Sequence, residues 1–324
     1  DNKGNIIAPG GDVGLAADQE VTLVRSGEER IQVKPASAGK VEGTGVDNSG
    51  NIEAVQAELK ANGGNIYALA VNNSGTVKAT GAVVKGGKIF LSAGGGKVVN
   101  SGSLVATNGD KGGSIQVTGK NVEVKAGSDI DASGAKGGGQ VLVGGDYQGQ
   151  GAVPTAETTV VEKGAVIKAD ATENGDGGKV IVWADQSTHY EGHISARGGA
   201  AGGNGGFAEV SGKKDLLFNG LADLRAPLGQ VGTLLLDPTD LTISNNADSV
   251  NNLSWATIQA QLGVGNMNVT TVGSPDVGGQ TGSITVTDAS PALNTANNLT
   301  LNAAGDFIAN AGITNTGAGD LFVV

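Results

Sequence analysis

Cysteine is absent from this chain of 324 residues, which excludes a disulfide framework, a thiolate metal site and a cysteine nucleophile. Aromatic residues make up only 3% of the sequence, too few for a large globular core of the usual kind, because aromatic side chains supply much of the buried area in such cores. No run of about 20 apolar residues occurs. We therefore expect no membrane insertion of this segment and no wide globular core.

Positive charge is also scarce, with 21 Lys and Arg against 32 Asp and Glu and a net charge of -11. That balance repels the phosphate backbone, so nucleic acid is not an expected partner. Glycine is abundant at 57 residues but does not recur at every third position, which excludes collagen. Hydrophobic residues form 38% of the chain, enough apolar material for a folded protein.

A repeat of about 25 residues organises the sequence, within the range typical of solenoids. Asn-Ser-Gly begins at Asn48, Asn73 and Asn100, and each copy is followed by a short strand-like segment that ends in alanine. A Gly-Gly pair then leads into a second apolar segment, as in "GGKIFLSA" at 86–93. A third apolar run, such as "NVEVKAG" at 121–127, precedes the next turn. Each repeat therefore carries three short strands joined by glycine turns.

Three strands in each coil predict an all-β fold, a right-handed parallel β-helix with three sides and an aliphatic interior. Side chains alternate along each strand, so Val77, Ile89 and Val117 should point inward. We expect coils over 1–236, with an inserted loop near 145–160, and a continuation of the β-helix over 237–324.

One short α-helix is expected near 254–262, capped by Ser254 and presenting Trp255, Ile258 and Leu262 on its apolar face. We expect it to lie outside the tube as a decoration.

Asn48, Asn73 and Asn100 should occupy one corner of consecutive coils. Two interpretations stay open: the side chains form a hydrogen-bonded asparagine ladder along the axis, or asparagine is simply tolerated in the turn conformation. Both are structural roles.

Several apolar residues fall at outward positions of the Gly-Gly strands, which is unusual for a solvent-exposed face and typical of an interaction site. These positions are Tyr67, Phe90, Gln116, Leu142, Ile181 and Ala208, and the partner-binding candidates among them are Tyr67, Phe90, Leu142 and Ile181. The alternative is that the 145–160 loop or the helix folds over them.

Candidates for chemistry are few. His189 and His193 are the only histidines, and their spacing would bind zinc on a helix but here spans a strand and a glycine corner. A polysaccharide-active β-helix enzyme would need outward carboxylates. The aspartates on neighbouring coils are Asp129, Asp131, Asp146, Asp170, Asp176 and Asp185, which turn chemistry also explains. We predict no enzyme activity, no cofactor and no metal site.

The ordered blocks "DIDASGAKGGGQVLVGGDYQG", "GDGGKVIVWADQSTHYEGHISARGG" and "GTLLLDPTDLTI" resemble the filamentous-haemagglutinin-like exoproteins of two-partner secretion (type V) systems. The resemblance covers essentially the whole chain. It implies a secreted protein of the bacterial cell surface that crosses the outer membrane through a dedicated barrel transporter. The Asn-Pro-Asn motifs of the family's secretion domain are missing, so the resemblance places this chain, as a fragment, downstream of that domain.

Three functions follow as hypotheses. The first is a structural rod segment of an adhesin-type exoprotein that supports adhesion. The second is a binding module that contacts a host-surface protein or glycan. The third is the polysaccharide-active enzyme.

Overall fold

The computed structural model describes residues 1–18, 20–24, 31–34, 45–61, 69–81, 87–272 and 279–324. Short strands stack in parallel and in register from coil to coil, and a narrow aliphatic core fills the space between three sides. This confirms the predicted parallel β-helix. An 18-stranded sheet forms two of the sides, here called side A and side B, because the long first strands bend from one side to the other.

Side A contains the strands that follow the Gly-Gly pairs, together with the strands that stack in register with them. In stacking order they are the second halves of β1 (Asn5–Ala17) and β5 (Asn51–Ala61), β8 (Lys88–Ser92), β12 (Ser114–Thr118), β15 (Gln140–Val143), β18 (Lys179–Ala184), β21 (Phe207–Gly212), β24 (Thr233–Leu236), β27 (Asn266–Thr270), β29 (Leu299–Asn302) and β31 (Leu321–Val323).

Side B contains the strands that follow the Asn-Ser-Gly motif and its weaker copies. They are the first halves of β1 and β5, then β7 (Thr76–Gly81), β10 (Ser103–Asn108), β14 (Asp129–Asp131), β17 (Val166–Lys168), β20 (His193–Ser195) and β23 (Leu221–Asp223).

Side C begins as a seven-stranded sheet and continues as a four-stranded one. The first sheet holds β4 (Val46–Asn48), β6 (Leu69–Asn73), β9 (Lys97–Asn100), β13 (Asn121–Val124), β16 (Thr158–Val161), β19 (Ser187–Tyr190) and β22 (Asp215–Phe218), and the second holds β26 (Asn252–Ser254), β25 (Leu241–Ser244), β28 (Ile284–Val286) and β30 (Phe307–Ala309). Asn251 joins the two sheets, because its N–H donates to the Leu216 carbonyl and its side chain accepts from the Leu216 N–H.

Elements outside the parallel stack are small. An antiparallel hairpin pairs β2 (Glu20–Leu23) with β3 (Ile31–Lys34), and β11 (Lys111–Gly112) pairs antiparallel with β10. A 3₁₀ turn spans Tyr147–Gly149.

Inward positions follow the predicted alternation. Val77, Ile89 and Val117 are completely buried, and each pairs in register with another aliphatic residue on an adjacent coil. A core only one tube wide explains the scarcity of aromatic residues, since the three sides leave room for small aliphatic chains.

Glycine at the corners is required by close approach of successive coils. A Cβ atom at Gly75 or Gly102 would overlap the carbonyl oxygen of the equivalent glycine on the preceding coil, Gly50 or Gly75. In each Gly-Gly pair, one glycine lies against the following coil and the other against the preceding coil, as Gly138 and Gly139 show. A Cβ at Gly138 would overlap the Ala169 carbonyl of the following coil, and one at Gly139 would overlap the Gly113 carbonyl of the preceding coil.

The single described helix, α1 (Trp255–Leu262), begins after Ser254, whose hydroxyl accepts from the Thr257 N–H at 3.1 Å as expected for a cap. Its placement differs from the sequence-based expectation. Trp255, Ile258 and Leu262 lie in the main core cluster, and the helix packs against β23 and β27. The helix therefore packs its apolar face into the core next to β23, the last described strand of side B, instead of decorating the outside of the tube.

Candidate functional site

One column of outward side chains runs along side A, and it holds the residues that the sequence offered as a partner surface. In register from coil to coil its members are Glu58, Phe90, Gln116, Leu142, Ile181, Glu209 and Leu235. The three partner-binding candidates that the structure describes are all buried: Phe90 is 3% exposed, Leu142 1% and Ile181 0%. The outward face is therefore covered in this region.

A loop that leaves β15 covers the middle of the column, and we call residues 145–153 the strap. Val153 packs on a separate apolar cluster of Leu142, Ile181 and Trp183. Gly149 lies so close to the Trp183 indole that a Cβ there would overlap the ring. Tyr147 meets Phe207 with ring centroids 5.9 Å apart and planes tilted by 59°. The strap thus removes an apolar patch of side A from solvent.

The hypothesis of an exposed partner stripe is therefore corrected. Leu142 and Ile181 are covered by the strap, which is the alternative that the sequence left open, and Phe90 is buried too. Tyr67 lies outside the described residues. Ala208, also expected to face outward, lies in the main core and pairs with Val180. Glu209 occupies the outward position of that coil instead.

Polar contacts hold the strap at its first residues and at Gln148. The backbone N–H of Gln148 donates to both carboxyl oxygens of Glu209, at 3.2 and 3.1 Å. The Gln148 side-chain amide donates to Asp237 at 2.9 Å. The strap's first residues are held by an ion pair, with 2.7 Å between Lys179 Nζ and Asp146 Oδ1. A segment that belongs to the coil of β15 is therefore bonded to three later coils.

Glu209 is the most perturbed acid of this site. It is completely buried, and burial raises the pKa of its carboxyl to about 7. Hydrogen bonds from the Gln148 N–H and Ser211 lower the pKa, the charge of Asp237 raises it, and the charge of Lys179 lowers it. Burial outweighs the other contributions.

Sequence reasoning missed Glu209, Asp237, Gln148 and Trp183 as partners in one site. A signal for Glu209 was present, because aligning "GGFAEVSG" on its Gly-Gly pair with "GGKVIVWA" puts Glu209 opposite Ile181. A buried carboxylate next to the aliphatic Ile181 in this column marks a place where another segment donates hydrogen bonds.

The asparagines of the Asn-Ser-Gly motifs form one hydrogen-bonded column inside side C. Asn2 Nδ2 donates to Asn48 Oδ1, Asn48 Nδ2 to Asn73 Oδ1, and Asn73 Nδ2 to Asn100 Oδ1, each at 2.7 Å. The four side chains are buried, and every amide points the same way along the axis. From the next coil onward the same position holds Val124, Val161, Tyr190 and Phe218. The polar column is thus continued along the axis by aliphatic and aromatic side chains.

The residues considered for chemistry have local roles. His189 Nε2 lies 3.2 Å from Glu191 Oε2, and His193 lies on side B. The six aspartates are each held by a nearby ion pair or hydrogen bond: Asp129 and Asp131 by Lys168, Asp146 by Lys179, Asp170 by Ser195, Asp176 by the Asn204 N–H, and Asp185 by Trp183. Among the described residues, no three His, Cys, Asp or Glu are grouped to hold a metal ion. Within the same ranges no helix has the length and apolar character to span a bilayer.

Comparison with models of protein families finds no match, and comparison with curated proteins finds none either. Among solved structures, the crystal structure of the HMW1 secretion domain from Haemophilus influenzae is similar, with 30% sequence identity and a TM-score of 0.50. The similarity covers 71% of this chain and 59% of the HMW1 chain, so this chain spans less than two thirds of the length of that protein. In fold and in sequence, this chain is therefore similar to the HMW1 secretion domain.

Proposed function

We propose that this chain is a rod segment of a large exoprotein of a two-partner secretion system, secreted and exposed at the bacterial surface, where its stacked coils support adhesion. The observation that carries the proposal is the similarity to the HMW1 secretion domain in both fold and sequence. The continuous in-register stack supports it further, since parallel coils add about 4.8 Å of length each and leave few open strand edges.

Export follows from the same proposal. An outer-membrane barrel transporter is the partner during secretion, and the chain folds after it emerges. A solenoid suits that route because each coil contacts mainly its neighbours and can form in sequence. The absence of cysteine is compatible with export in the unfolded state.

A deletion series in the full exoprotein, made in the bacterium that produces it, tests the rod role. Removing residues 103–128 takes out one complete coil, because Ser103 and Asp129 are paired on adjacent coils. We expect normal amounts of folded exoprotein at the cell surface and normal adhesion. Removing residues 103–115 instead deletes the side B strand β10 and joins the end of side C to the middle of β12 on side A, and we expect a degraded, protease-sensitive product. Loss of adhesion with normal surface display after removal of the complete coil would contradict a purely mechanical role.

A second candidate is favoured by one observation: the similar structure is itself a secretion domain. In that case this segment directs export, and it does not lie downstream of the secretion domain. The complete-coil deletion distinguishes the two, because loss of export while the purified variant remains folded supports the secretion role. Normal export supports the rod.

A host-surface protein or glycan remains a proposed partner of the exoprotein. Phe90, Leu142 and Ile181 are buried, so contact would fall on other outward residues. Binding of the purified chain to arrays of glycans and matrix proteins, compared with an unrelated β-helix, tests it. Binding above that background supports a binding module, and its absence supports the rod alone.

A further inference from the structure

A groove lies at the corner where side B turns into side A, and it crosses three successive coils. Its volume is about 650 Å³, and its lining includes the stacked glycine turns at 177–178 and 205–206. At a coil spacing of about 4.8 Å, the three coils span roughly 10 Å along the axis. The groove therefore has room for a small ligand that extends along the solenoid.

The polar part of the lining is a row of three side chains, one from each coil: Asp176, Asn204 and Gln230. Asp176 Oδ1 accepts from the Asn204 N–H at 2.6 Å, and Asn204 Oδ1 accepts from the Gln230 N–H at 2.9 Å. Among the described residues, Asp176 Oδ2, Asn204 Nδ2 and the Gln230 side-chain amide have no hydrogen-bond partner. All three residues are exposed. The row therefore presents oriented donors and acceptors to a ligand.

An aromatic residue lies in the same lining. Phe207 begins β21 at a position that holds Lys179 on the preceding coil and Thr233 on the following one. It is only partly buried, and Tyr147 of the strap, 43% exposed, lies beside it with ring centroids 5.9 Å apart. Two aromatic rings thus reach the surface near the polar row, in a chain of which only 3% is aromatic.

A sugar ring has the two properties that this lining matches. Its apolar face of C–H groups stacks on an aromatic ring, and its hydroxyl groups exchange hydrogen bonds with amides and carboxylates. Charge selects among sugars, because Asp176 is exposed and Lys179, the cation of the lining, is engaged by Asp146 at 2.7 Å. The chain as a whole carries a net charge of -11, which repels an anionic saccharide.

We propose that this groove binds a neutral oligosaccharide, with one sugar ring stacked on Phe207 and its hydroxyl groups bonded to Asp176, Asn204 and Gln230. The inference rests on the proposed contact with a host glycan and deepens it by naming the site and the charge of the ligand. It assigns recognition to the corner turns of three coils, outside the apolar patch that the strap covers.

Titration of the whole chain with neutral tetrasaccharides tests the proposal, with cellotetraose, mannotetraose and lacto-N-neotetraose as the probes. Nuclear magnetic resonance of the amides reports the site. We expect the side-chain amide signals of Asn204 and Gln230 to shift and to saturate at millimolar concentrations of at least one probe. A hyaluronan tetrasaccharide, which carries carboxylates, should leave them unchanged at the same concentrations.

Variants of the lining separate binding from bulk effects of the sugar. Gln230→Ala removes the exposed amide and keeps the backbone bond to Asn204, so affinity should fall about fivefold. Gln259→Ala, at an exposed glutamine of α1 outside the groove, is the matched control and should bind like the wild type. Phe207→Leu keeps an apolar side chain but loses the ring, and it should also weaken binding about fivefold.

Absence of shifts in the groove amides with all three neutral probes would overturn the proposal. So would unchanged affinity in either Gln230→Ala or Phe207→Leu, or tighter binding of the hyaluronan tetrasaccharide than of the neutral probes. None of these results bears on the rod segment, because the complete-coil deletion tests that role by surface display and adhesion.

Discussion

The side-chain amide of Gln261 hydrogen-bonds both backbone groups of Ala222. The Ala222 N–H donates to Gln261 Oε1, and Gln261 Nε2 donates to the Ala222 carbonyl, each at 2.9 Å. Ala222 lies in β23, where side B ends, and a further strand would normally supply such a donor and acceptor. A glutamine on α1 thus takes the place of a peptide group, and the sheet edge is closed by a helix.

Replacement of Gln261 should reveal how much this contact contributes. Gln261→Ala leaves the buried N–H and carbonyl of Ala222 without partners, so we expect the free energy of unfolding to fall by about 3 kcal/mol. Chemical denaturation followed by circular dichroism measures the change. Gln259→Ala, an exposed position on the same helix, is the control and should change stability by less than about 0.5 kcal/mol. Equal effects from both substitutions would contradict a specific role for Gln261.

The asparagine column predicts that two neighbouring residues, Asn72 and Asn73, differ in their contribution to stability. Asn73→Ala removes the acceptor of Asn48 and the donor to Asn100, leaving buried amide atoms unsatisfied, and should cost about 2 kcal/mol of stability. Asn72→Ala is the control, because its side chain makes one partly exposed hydrogen bond, to Asp47. We expect at most about 0.5 kcal/mol from it. If Asn73→Ala were as mild as Asn72→Ala, the column would have no energetic role.

Close stacking at the corner glycines can be tested by adding one methyl group. Gly102→Ala drives a Cβ into the Gly75 carbonyl, which requires the coils to separate locally, so we expect a loss of about 3 kcal/mol or a failure to fold. Gly312→Ala adds the same methyl where nothing lies within 4 Å. Its melting temperature should match the wild type. A folded Gly102→Ala protein of normal stability would show that the coils are less tightly stacked than described.

Replacement of Tyr190 by phenylalanine should not reduce the stability of the protein. Its hydroxyl is completely buried and has no hydrogen-bond partner among the described residues, and burial raises its pKa far above the ordinary value. The ring stacks on Phe218 with centroids 5.6 Å apart and planes within 8°. Because Tyr190→Phe keeps the ring and removes an unsatisfied polar group, we expect stability to be unchanged or raised by up to about 1 kcal/mol.

The matching control for that substitution is Tyr190→Leu, which loses the stacked ring and should cost about 2 kcal/mol in the same thermal or chemical unfolding measurement. A clear loss of stability in Tyr190→Phe would instead show that the hydroxyl is bound, for example by an enclosed water molecule.

The sequence alone predicted the repeat. Asn-Ser-Gly spacing, Gly-Gly pairs and period-two alternation predicted the stacked coils and the inward positions of Val77, Ile89 and Val117, all completely buried in the structure. Local chemistry explains this success. Each coil repeats the same corner and the same side-chain alternation, so a pattern within about 25 residues already specifies the backbone path.

Other features depended on contacts between segments distant in the chain. The sequence left open whether Leu142 and Ile181 form a partner surface or lie beneath the 145–160 loop. The strap covers them, and its Gln148 side chain donates to Asp237, 89 residues away. The helix was predicted at the correct place in the sequence but outside the tube, whereas its apolar face packs into the core. Its contact with the sheet depends on hydrogen bonds between Gln261 and Ala222, which lie 39 residues apart in the chain.

The amino-acid pattern specifies the coil, its corners and its narrow aliphatic interior, because periodic side chains and obligatory glycines act over short distances. Contacts between distant segments settle which outward residues are covered, which end of a sheet a helix closes, and which carboxylates are buried. Those outcomes depend on where inserted segments come to rest on the finished stack, and no periodic pattern encodes that position.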